Sequence, residues 1–237
     1  MNRTVTSLAL LVAVGALAGC SQKETVSSEN IKTAGIAAVM DIKAENENSS
    51  TVEVKLLVGG DESNTFVILD NGDKLTVTAN GETKGLNAES EGIYKATVGT
   101  GAGETEFVVA LERPDDTPAP NSVGKLPPPF TLGSIANISR ATDGVEITWD
   151  PSGSDSIVID VTGDCIDEQK DIKTSDTGSY SIAAGDLVSP FDSDKDKTCD
   201  VTARVVRARS GSPDSAYDGE SKMVMRQIRA VKFQAAP

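Results

Sequence analysis

An all-β chain, built as two β-sandwich domains in tandem after an N-terminal signal peptide, is what the sequence predicts. Two observations carry the fold. Short runs of period-two alternation recur along the chain, separated by Gly, Asn and Asp turn signals. Six of the ten prolines fall between Pro114 and Pro129 and divide those runs into two sets, each of a length suited to a domain of about 100 residues.

The N-terminus comes first in the chain. Arg3 precedes an apolar run from Leu8 to Ala16, shorter than the roughly 20 residues a membrane-spanning helix needs, and small residues crowd its end. The run closes on Leu17-Ala18-Gly19-Cys20. This tetrapeptide resembles the lipobox of bacterial lipoproteins. The resemblance implies that residues 1–19 are removed as a signal peptide and that Cys20, palmitate-bearing, becomes a lipid anchor for an exported cargo. Ser21 stands where lipoproteins kept at the inner membrane often carry Asp, so the resemblance implies outer-membrane delivery in a host with two membranes. Residues 20–34 are expected to be a flexible tether, because Ser21 to Asn30 is polar, with Val26 its only apolar residue and no periodicity.

Residues 35–113 are expected to form the first sandwich. Val52, Val54, Leu56 and Val58 alternate with Glu53, Lys55 and Leu57, and Phe66 to Leu69, Leu75 to Thr78, Tyr94 to Val98 and Phe107 to Leu111 give further short strands. Asp70-Asn71-Gly72-Asp73 and Asn80-Gly81 supply residues that tolerate positive φ at tight turns. Gly92-Ile93-Tyr94-Lys95-Ala96 resembles the tyrosine corner of immunoglobulin-like sandwiches, with Ala96 in the place of a cysteine. That departure removes the intersheet disulfide such domains often have.

Residues 114–129 read as a semi-rigid linker, since proline lacks an amide donor and fixes φ. Residues 130–237 are the second domain. Val145, Ile147 and Trp149 alternate with Glu146, Thr148 and Asp150, then Ile157, Ile159 and Val161 repeat the pattern, followed by Ser179 to Ala183, Val201 to Val206 and Lys222 to Phe233. Trp149 late in the second strand, Pro151 after it, Leu187 in a crossover, and the strand opening Cys199-Asp200-Val201 are similar to a fibronectin type III module, with Cys199 where that module usually has tyrosine. By that resemblance the strand before Cys165 and the strand opened by Cys199 are antiparallel neighbours, which would bring the two cysteines together as a disulfide. An even pair left over after Cys20, in an exported chain, agrees.

Charge and residue types narrow the function. A formal charge of −14, one unit more negative once Arg3 is lost, repels nucleic acid and anionic headgroups, leaving the lipid to hold the membrane. The chain has no histidine, the commonest general base and metal ligand, and Ser179 and Ser181 lack a recognisable base or nucleophile elbow, so no catalytic residue is nominated. Trp149 shares the parity of Ile147 and belongs inside, which leaves little for a carbohydrate platform. Asp192, Asp194 and Asp196 resemble the start of a calcium loop, but an EF-hand would need Gly at Lys197 and Glu at Ala203. The expectation is a non-catalytic, lipid-anchored envelope protein that offers its modules as a spacer or protein-binding surface to another envelope protein. The alternative is a calcium-assisted adhesion or ligand-binding lipoprotein.

Overall fold

The computed structural model describes residues 23–100, 104–153 and 155–237; the signal peptide, Cys20 and Ser21 lie outside them. The first half folds into β1 (Glu24–Ser27), β2 (Ile36–Ala44), β3 (Ser49–Val58), β4 (Thr65–Ile68), β5 (Lys74–Ala79), β6 (Glu82–Gly85), β7 (Asn87–Ser90), β8 (Ile93–Gly99), β9 (Glu106–Glu112) and β10 (Ala119–Lys125). The second contains β11 (Ile138–Ser139), β12 (Val145–Thr148), β13 (Ser156–Thr162), β14 (Gln169–Ser175), β15 (Ser179–Ile182), β16 (Cys199–Ser210) and β17 (Lys222–Ala236). The helical pieces among the described residues are 3-10 turns, so the chain is all-β as its alternation predicts. Asn80 and Gly81 both take positive φ, 51° and 77°, which turns β5 back onto β6 as a two-residue hairpin requires.

Two cores follow from that alternation. In the first, β1-β4-β3-β2 and β8 face the four-stranded sheet β10-β9-β5-β6 across Met40, Ile42, Val54, Leu56, Val77, Phe107 and Val109, all almost fully buried. In the second, β12 and β15 face β14-β13-β16-β17 across Ile147, Trp149, Ile159, Val161, Leu187 and Phe233. Tyr94 is buried, and its hydroxyl donates to Val67 O (3.2 Å) and accepts from Leu69 N–H (2.7 Å). The bond crosses to β4, 27 residues upstream, and so clasps two strands rather than turning a local corner.

The two halves are not joined as a linker would join them. β16 and β17 pair continuously from Cys199 opposite Ala235 to Ser210 opposite Val224. The far end of that hairpin leaves the second core and enters the first. There Lys222 to Gln227 of β17 lie parallel to Val39 to Ala44 of β2, and Tyr217, Met223 and Met225 are buried among the first set of apolar residues. A single sheet therefore runs through the whole molecule. Gly124 and Gly211 permit the insertion: a Cβ at either would come within 2.7 Å of a methionine sulfur, Met225 for the first and Met223 for the second.

Three expectations are corrected here. Residues 119–125 of the proposed linker form β10, paired with β9. Proline is tolerated because β10 is an edge strand whose register shifts between Ala119 and Ser122, around Pro120. Residues 24–34 of the proposed tether are likewise structured: β1 pairs in parallel with β4, and Ser28 and Thr33 are buried. Arg113 explains the second result, since its buried guanidinium donates to Ser28 O, Ile31 O and Thr33 Oγ1 while pairing with Asp73 and Asp116. The third is the boundary at residue 130. Residues beyond it supply part of the first core.

Candidate functional site

The end of the second core remote from β2 brings together a disulfide, a buried arginine and an exposed aromatic. β13 ends at Thr162, and the turn after it brings Cys165 beneath the start of β16, where Cys165 and Cys199 are disulfide-bonded with Cα atoms 5.9 Å apart. Ile166 bridges to Val188, and buried Leu187 pins the loop that runs from Gly185 to Thr198. Sequence reasoning paired the cysteines correctly because their strands are neighbours in register: Thr162 lies opposite Thr202.

Arg140 shapes this loop from below. Only 3% exposed, it donates to the carbonyls of Asp194 (2.9 Å), Lys195 (3.1 Å) and Lys197 (2.7 Å) and to Cys165 Sγ (2.8 Å). No carboxylate pairs with it among the described residues. Carbonyl dipoles therefore do the work of a counter-ion, and the loop is held in one shape because a buried guanidinium must be satisfied. Arg140 was not legible as a site residue; its partners in the loop are backbone carbonyls 54 to 57 residues away.

Asp192, Asp194 and Asp196, the expected calcium ligands, fall on and beside the 3-10 turn Asp192–Asp194. The structure does not bring their carboxylates to a common point. Asp194 points inward and accepts from Ser189 Oγ (2.9 Å), Ser193 Oγ (3.1 Å) and Lys197 Nζ (2.9 Å), contacts that hold it below the usual carboxylate range, Lys197 most of all. Asp192 is exposed and pairs with Lys195, and Asp196 is exposed. Among the described residues no group of three acidic, Cys or His side chains is placed to hold a metal ion.

Phe191 is the residue that sequence reasoning missed. It is 67% exposed, while the other aromatic residues are buried or half-buried. Its neighbour Val188 is 43% exposed. Beside it lies an open groove of about 380 Å³ lined by Asp164, Ile166, Asp167, Glu168, Pro190 and Phe191. The available signal was local: one aromatic between Pro190 and Asp192, in a stretch with no alternation to bury it.

Strand register places this site relative to the N-terminus. Thr25 is level with Phe66, Phe66 with Leu57, Leu57 with Ala37, and Val39 with Lys222, whereas Ala235 is level with Cys199. The entry of the chain at Lys23 and the disulfide-braced loop are thus separated by about fifteen residues of strand, or roughly 50 Å. No helix among the described residues is long and apolar enough to cross a membrane.

No family model matches the sequence, and no curated protein matches it. The chain is similar in structure to the Yersinia pseudotuberculosis adhesin InvE at 11% identity and a TM-score of 0.24, covering 84% of this chain and 58% of that one. A two-domain fibronectin type III segment of chicken tenascin is similar at 10% identity and a TM-score of 0.22, covering 81% and 97%. The Escherichia coli adhesin FdeC is similar at 11% identity and a TM-score of 0.26, covering 83% and 65%. The chain spans less than two thirds of the InvE and FdeC chains.

Proposed function

We propose that this chain is a non-catalytic, lipid-anchored protein of the cell envelope that displays a protein-binding tip at the end of a stiff β-sandwich stalk. Cys20 is the anchor, and Ser21 directs it to the outer membrane in a host with two membranes. The observation that carries the reading is the placement of Phe191, the one mostly exposed aromatic, at the pole opposite Lys23. Lys23 follows Cys20 by three residues, and three residues of chain reach at most about 10 Å. A lipid on Cys20 would hold the first module close to the bilayer and hold the Phe191 loop roughly 50 Å from it. Two features support a stalk rather than beads on a string. β17 passes unbroken through both cores, and Arg209 joins Asp155 in one half to Glu104 in the other.

Membrane fractionation tests the anchor. Cys20→Ser should lose lipid labelling and leave the membrane fraction; wild-type protein that carries no lipid and keeps residues 1–19 would overturn it. Display is tested with donor dyes at positions 196 and 23 and acceptor dyes in the lipid. Strong energy transfer from position 23 and weak transfer from 196 is the expected result, and equal transfer counts against an upright stalk.

A further inference from the structure

We infer that the groove beside Phe191 is a docking site for a lysine- or arginine-rich segment of a partner protein. The inference deepens the display function proposed above by naming the chemistry of what is displayed to. An aromatic ring left 67% in water forgoes the burial that the other aromatic side chains of this chain obtain in full or in part. Phe191 is not loose. Its N–H donates to Ser189 Oγ (3.3 Å), Ser189 in turn donates to Asp194, Arg140 fixes the carbonyls of Asp194 and Lys195, and the disulfide closes the base. The backbone that carries the ring is held by these contacts, so a partner would pay little to order the loop.

Charge selects the occupant. Three acidic residues besides the inward-pointing Asp194 line the groove, Asp164, Asp167 and Glu168. Lys170 and Lys197 pair with Glu168 and Asp194, while Asp164 and Asp167 make no ion pair among the described residues. The field of a chain with formal charge −14 adds to theirs. A cationic side chain fits both halves of the site, because its aliphatic stem can cover Phe191 while its head meets Asp164 or Asp167, and the ring face itself attracts a cation. A second copy of this chain is disfavoured by the same charge. Nucleic acid is repelled for the same reason.

The test uses the mature chain and a fluorescent ten-residue peptide of alternating lysine and leucine, with a glutamate-for-lysine version as control. Anisotropy should show binding of the lysine peptide at low salt, several-fold weaker at high salt, and none of the glutamate peptide. Phe191→Ser should weaken binding about tenfold, the loss expected of a central aromatic contact. Asp164→Asn with Asp167→Asn should weaken it several-fold and flatten the salt dependence. Glu82→Gln with Glu89→Gln, on the exposed strands β6 and β7, should change nothing. Equal binding by all variants would mean a diffuse response to net charge and would overturn the site, as would no binding at all. Calcium binding that is lost in Asp164→Asn would also overturn it in favour of a cation site. These substitutions lie far from Cys20, so failure here leaves the fractionation result for the anchor unchanged and the two readings separable.

Discussion

Met225 and Phe233 lie on the same face of the same strand, eight residues apart, yet they belong to different hydrophobic cores. Met225 is fully buried with Met40 and Val54 in the first, and Phe233 is 4% exposed with Trp149 and Val161 in the second. The ladder from β17 to β16 is unbroken between them, so no loop is there to absorb the φ/ψ changes of a hinge, and the two halves share their stability as well as their sheet.

One cooperative unfolding transition is therefore expected by calorimetry, rather than two. Met225→Ala and Phe233→Ala should each cost about 2 to 5 kcal/mol and should lower that same transition. Two separable transitions, each sensitive to one variant only, would show that the cores are independent. Limited proteolysis should likewise spare residues 119–125, which are paired in β10.

Cys199→Ser should destabilise the second core. The disulfide spans 34 residues, and on the chain-entropy model closing such a loop is worth about 4 kcal/mol. Mass spectrometry of unreduced protein should yield a peptide joining Cys165 to Cys199. Free thiols at both positions in envelope-derived protein would contradict it.

Acid should unfold the protein through Asp176. Burial pushes its carboxyl upward, but bonds from Arg207, Ser152 and Trp149 Nε1 outweigh that and hold it below the ordinary carboxylate value. With the folded pKa depressed, the stabilisation is complete above the unfolded value of about 4 and is lost as pH falls through the folded one. Asp176→Asn leaves Arg207 buried without its partner and should cost about 3 to 5 kcal/mol at neutral pH. It should also flatten the stability curve below pH 4. Unchanged acid sensitivity in urea titrations would assign the effect to other carboxylates.

Arg113→Gln should loosen the N-terminal segment without unfolding the core it lies against. The carbonyls of Ser28 and Ile31 lose the guanidinium as a donor, so amide exchange across residues 24–33 should speed up by about tenfold or more while β2 and β3 stay protected. Uniformly faster exchange would mean that Arg113 supports the whole first core.

The readable parts of the chain were those with a local period. Val52 to Val58 and Val145 to Trp149 announce which face is buried, because a strand places alternate side chains on opposite sides. β6, β7 and β14 are almost wholly exposed or half-exposed and carry no such pattern. They were not legible, since what holds them is backbone pairing. Trp149 was placed inside by parity alone, and it is 5% exposed. The site followed the same rule: the two cysteines could be paired from neighbouring strands, whereas Phe191 carried no periodic signal.

By itself the sequence determined the all-β class and the buried face of each amphipathic strand, because both depend on short-range alternation; the pairing of Cys165 with Cys199 followed from their being the even pair left after Cys20 and from the resemblance to a fibronectin type III module, which makes their strands neighbours. Only the tertiary structure decided that β17 belongs to both cores, that Arg113 binds a segment 80 to 85 residues before it, and that Arg140 fixes the carbonyls of the loop from which Phe191 stands exposed beside an acidic groove. Each of those depends on contacts between residues far apart in the chain. A backbone carbonyl has no residue type, so the partners that a buried guanidinium chooses among carbonyls leave no mark in the order of amino acids.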